Sequence, residues 1–91
     1  MNKTRTVGYM VMADCDDFVQ PLSMHANDKT PEAGILDWAD KASPAHLFPS
    51  RAAARAAIDR THHYAVAFGR VETLPQRAFC KIQRVVQEQS E

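Results

Sequence analysis

Asp14, Asp16 and Asp17 place three carboxylates within four positions. Carboxylate oxygens at that density are the donors a hard cation takes. The run lacks the longer loop and distal glutamate of a calcium-binding helix–loop–helix, however. It reads first as a solvated turn, since aspartate bonds its own backbone there. Its functional option is an acidic patch that mimics phosphates. The histidines are His25, His46, His62 and His63, with no CxxC or HxxxH spacing. Adjacent His62 and His63 point about 100° apart on a helix, so they do not share a metal as residues four apart would. A zinc site from Cys15, Cys80 and a histidine has no spacing to support it. There is no GxSxG, and three glycines leave no phosphate-cradling loop. No metal, cofactor or catalytic group is expected, and the chain reads as a non-enzyme.

A second group lies on one helical stripe. Arg51, Arg55 and His62 fall within about 40° of one another, with Asp59 beside them. Guanidinium groups in such a row clamp carboxylate or phosphate bidentately. The plainer alternative is a solvated face on which Arg55 and Asp59 pair four residues apart. The candidate partner-binding residues are therefore Asp14, Asp16, Asp17, Arg51, Arg55 and His62. Met10 and Met12 add an adaptable apolar seam, suited to a homodimer if residues 23–34 leave it uncovered.

The elements that must carry these groups follow from periodicity. Thr6 to Ala13 alternates, with Val7, Tyr9, Val11 and Ala13 on one side and Met10 and Met12 on the other. Both sides are apolar, which predicts a central strand or one with a second layer over it. Phe18 to Leu22 returns, and Pro21 predicts that it lies on an edge. Ser23 to Gly34 is a loop, and Ile35 to Asp40 a third strand. In that strand Trp38 should roof the core and send its indole N–H to a surface acceptor.

Ala45 to Phe68 carries the one long helix, with Ser50 as N-cap and Pro49 blocking extension backward. Ala53, Ala54, Ala57, Thr61, Tyr64, Ala65 and Phe68 form its inner face, with Ile58 at the margin and Arg60 snorkelling round the core edge. Gly69 is the natural residue to end it. Ala78 to Gln87 is a last strand, with Cys80, Ile82 and Val86 on one face. The predicted fold is α+β: an antiparallel sheet of three to four strands with one long helix packed on one face, in the order β-β-β-α-β.

Ninety-one residues at 45% apolar composition suit one folded domain. Equal numbers of cations and carboxylates, 11 each, argue against a generic basic nucleic-acid binder. The charge is unevenly spread. Residues 1–40 hold three cations against seven carboxylates, a net of −4, and residues 41–91 hold eight against four, a net of +4. Either the halves attract each other in the fold, or the surface steers a charged partner. Two cysteines are too few for a disulfide scaffold, although Cys15 and Cys80 would meet if first and last strands were neighbours. No leader or membrane span is apparent, so a cytoplasmic protein is expected.

The run from Trp38 through Ala45-His-Leu-Phe48-Pro-Ser50-Arg-Ala-Ala-Ala54 resembles a pattern of small orphan α+β proteins of phages and mobile elements. In these an A-x-x-F-x-S-x-x-x-A segment opens the helix after a tryptophan-bearing strand. Some with assigned roles are anti-CRISPR proteins. The resemblance implies a non-catalytic inhibitor in the cytoplasm of a bacterial host, binding a host protein or ribonucleoprotein complex and blocking its access to nucleic acid. Such inhibitors share no residue motif, so no site residue is carried over. The alternative is a small nucleic-acid-binding regulator using the basic C-terminal half. The neutral total and the lack of aromatics interleaved with basic residues weigh against direct nucleic-acid binding.

Overall fold

A computed structural model describes residues 3–15, 18–24, 29–30, 32–38 and 45–89. The strands are β1 (Lys3–Cys15), β2 (Phe18–Met24), β3 (Leu36–Trp38), β4 (Leu47–Phe48) and β5 (Cys80–Gln89). The helix α1 spans Arg51–Ala67, and a 3-10 turn over Arg77–Phe79 leads into β5. The fold is α+β: an antiparallel sheet β4-β1-β5 with α1 packed on it, and a small second sheet of β2 and β3.

The central position predicted for the first strand holds. One edge of β1 pairs with β5 from Lys3↔Gln89 to Ala13↔Cys80. Its other edge is shared by β2, from Met12↔Pro21 to Cys15↔Phe18, and by β4, at Tyr9↔Phe48 and Met10↔Leu47. β2 is not an edge strand. It leaves β1 after Pro21 and pairs with β3 through Leu22, Ser23 and Met24. Proline sits at that changeover, where the β1 ladder ends and a missing N–H costs little. The His46 N–H then bonds the Leu22 carbonyl at 3.1 Å and joins the two sheets.

β4 falls inside the segment expected to open the helix, so the helix is shorter than Ala45 to Phe68. Gly8 makes room for it. A Cβ on Gly8 would lie 3.1 Å from the Leu47 Cβ and 3.2 Å from the Phe48 carbonyl oxygen. A bulge between Thr6 and Gly8 leaves Val7 without a β5 partner, and Val7 is exposed instead of sharing the inner face with Val11. The extra residue breaks strict alternation.

The helix ends follow the sequence closely. Ser50 Oγ accepts from the Ala53 N–H at 3.1 Å. At the other end Gly69 has φ +66°, the Arg70 N–H reaches the Ala65 carbonyl at 2.7 Å and the Gly69 N–H the Val66 carbonyl at 3.4 Å. This is the Schellman pattern that satisfies the last carbonyls. Ala54, Ala57, Thr61 and Ala65 are buried as predicted, and Ile58 lies fully in the core. Phe68 is the exception at 60% exposed: as C-cap it has left the helical path, and its ring rests on Tyr64 with centroids 4.5 Å apart.

The core joins Val11 and Ala13 of β1, Leu22, Leu36 and Phe48 to Ala54, Ala57 and Ile58 of α1, with Cys80 and Ile82 of β5 packed against them. Each large aliphatic side chain here contributes about 1.5–3 kcal/mol by leaving water. A second cluster of Ile35, Ala65 and Leu74 continues under the helix C-terminus. Three bonds tie residues 32–36 to α1. Leu36 N–H donates to Thr61 Oγ1 at 2.8 Å, and Arg60 Nε donates to the Gly34 carbonyl at 3.2 Å. Tyr64 donates to the Glu32 carboxylate. Trp38 behaves as expected, with its indole N–H on the Thr73 carbonyl at 2.9 Å.

Candidate cationic groove

The helix stripe and the start of β5 converge on one groove of about 430 Å³. Its floor is apolar, made by Ile58, Cys80 and Ile82, and its polar lining among the described residues is Arg51, Arg55, Arg77 and Asp59, with Lys81 at the rim and its ammonium on Asp14. The placement has a local cause at each residue. Ser50 caps the helix just before Arg51, so Arg51 and Arg55 stand on successive turns of its exposed side. The 3-10 turn delivers Arg77, and the strand that follows carries Lys81.

Several contacts hold the cations in place. The Arg51 guanidinium lies over the Tyr9 ring, 5.1 Å from its centroid. A cation on an aromatic face gains about 0.5–1 kcal/mol at an exposed site and loses mobility. Asp59 meets Arg77 at 3.7 Å, rather than Arg55 four residues earlier. Both side chains of that pair are about half exposed, so the pair orients more than it stabilises. The Lys81 ammonium is paired with Asp14, so the net result is three guanidinium groups against the one carboxylate of Asp59, a geometry that binds anions.

The residues singled out in the sequence are distributed unequally. Arg51 and Arg55 are brought together in the groove. His62 lies apart, in an adjoining hollow of about 190 Å³ with Ala65, Val71 and Pro75, and Arg77 lines both hollows. Asp14 pairs with Lys81 on the sheet face away from α1 and does not line the groove. Asp16 and Asp17 lie outside the described residues. The acidic and basic halves of the sequence therefore touch at Asp14–Lys81. Arg77 and Lys81 were not anticipated as site residues. The sequence signal for them was the charge excess of the C-terminal half.

The remaining candidates resolve as follows. First and last strands are neighbours, yet Cys80 stands opposite Ala13 and its thiol donates to the Gln76 carbonyl at 3.4 Å. Met10 and Met12 are half-buried on the sheet face away from α1, where Met10 pairs with Leu47 and Met12 with Lys81. Among the described residues no cluster of three His, Cys, Asp or Glu side chains could hold a metal ion, and no helix is long and apolar enough to cross a membrane.

Comparison with protein-family models, with curated proteins and with solved structures gives no match for this chain.

Proposed function

We propose that this is a non-catalytic binding protein whose groove of Arg51, Arg55 and Arg77 engages an acidic segment of a partner protein. The observation that carries the reading is the convergence of three arginines from two separated chain segments over an apolar floor. Fixed cations recognise carboxylates, and the floor of Ile58 and Ile82 takes apolar side chains between them. In its sharpest form the reading is an inhibitor from a phage or mobile element, of the anti-CRISPR kind, that occupies a host defence complex and keeps nucleic acid out. Small size, the two-signed charge pattern and the resemblance around Ala45–Ala54 support that form.

The test is affinity capture from a bacterial host lysate with mass spectrometry, using wild type and the Arg51→Glu/Arg55→Glu variant. Recovery of a defence component by wild type alone supports the proposal. Absence of any such component, with unchanged interference in cells, overturns the inhibitor reading.

The second reading, a small nucleic-acid-binding regulator, draws on the same three arginines, whose charge also suits a phosphate backbone. Its signature is an affinity for DNA or RNA that falls steeply with salt, because each neutralised phosphate releases counterions.

A further inference from the structure

We propose that the chain forms a two-fold dimer with a second copy of itself, through antiparallel pairing of the outer edge of β5. Among the described residues β5 pairs with β1 on one side, and no strand lies on the other along Cys80–Gln89. A strand edge of this length is a template for another strand.

The charges on the edge select one register. In a two-fold antiparallel pair the axis is perpendicular to the sheet, so residues directly opposite each other have the same parity. A dyad at Arg84 sets Arg84 on its own copy, a like-charge contact. A dyad at Val85 sets Arg84 against Val86, and one at Gln87 sets Glu88 against Val86. A dyad at Val86 sets Val86 on Val86 and Arg84 on Glu88, and the symmetry makes the charge pair twice. Val86 is 44% exposed, an apolar side chain that this contact would cover. The open stretch of the β1 edge offers no such solution: its charged residues are Lys3 and Arg5, and self-pairing about Thr4 sets these cations against each other. The same axis keeps both helices, and both cationic grooves, on one face of the joined sheet.

The experiment is sedimentation equilibrium of the full chain under reducing conditions. Wild type is expected to dimerise. Arg84→Glu and Glu88→Arg should each weaken the dimer about tenfold, and the double swap Arg84→Glu/Glu88→Arg should restore it. Val86→Lys, which puts two ammonium groups at the dyad, should be monomeric while keeping the wild-type circular dichroism spectrum. Should a charge variant fail to fold, Val86→Cys with Cys15→Ser and Cys80→Ser replaces it. Opposed Cα atoms about 4.5–5.5 Å apart in such a pair permit a disulfide, so oxidation should give a covalent dimer. A wild type that stays monomeric up to about 0.5 mM overturns the proposal. So does a dimer indifferent to the swaps, or a Val86→Cys variant that does not cross-link.

Discussion

Thr61 and Leu36 are joined across the core. The Thr61 hydroxyl accepts the Leu36 N–H at 2.8 Å and donates to the Ala57 carbonyl at 2.7 Å. Thr61 is 2% exposed and Leu36 fully buried, so no water stands in for either bond. One side chain on an alanine-rich face thereby fixes where β3 begins against the helix.

Thr61→Val keeps the shape and removes the acceptor, leaving the Leu36 N–H buried without a partner. The expected loss is about 1–3 kcal/mol, read from urea unfolding. Thr61→Ser keeps both bonds and should lose distinctly less. A Thr61→Val variant as stable as wild type would show that the hydroxyl's two bonds contribute nothing.

Ala57 is fully buried where the helix meets the sheet. Ala57→Leu forces several extra carbons into that contact and should cost about 1–3 kcal/mol by thermal or chemical unfolding. The same change at Ala56, on the exposed side, should stay within about 0.5 kcal/mol.

Gly69→Ala meets no atom within 4 Å, yet the backbone there has φ +66°. The cost is therefore conformational alone, about 1–2 kcal/mol. Asparagine tolerates that region better, so Gly69→Asn should fall between alanine and wild type in melting temperature.

The Glu32 carboxyl is held below its ordinary value of 4.5, chiefly by a bond from its own backbone N–H, then by the Tyr64 hydroxyl, with Thr30 and Arg70 adding to it. A carboxyl depressed in the folded state stabilises fully above its unfolded value, and the stabilisation fades as pH falls through the folded value. The stability difference between wild type and Glu32→Gln should therefore be constant above about pH 5.5 and shrink below about pH 4.5. A difference that persists unchanged to pH 3 would rule out this linkage.

Arg51→Glu/Arg55→Glu reverses two of the three groove cations without touching the core. Elution from a heparin column should move to lower salt, and affinity for an acidic peptide should fall about tenfold or more. The unfolding midpoint should hardly move, since both side chains are exposed. Unchanged elution would mean that the groove is not the anion-binding surface.

The sequence by itself determined the helix and its ends. Ser50, the alanine face and Gly69 act within a few residues, and local rules decide capping and amphipathicity. It also determined the central strand, because Val7 to Ala13 is apolar on both faces, and the reach of the Trp38 indole for an acceptor. Only the tertiary structure decided the rest. The two-residue β4 forms because Gly8 lets Leu47 and Phe48 approach β1, a fit between distant segments that no local period signals. The bulge turns Val7 outward for a similar reason, since register belongs to a pair of strands rather than to one. Arg77 meets Arg51 and Arg55 because β5 returns beside β1 under the helix. That closure spans more than twenty residues of intervening chain, and its contacts exist only once the core has brought the two segments together.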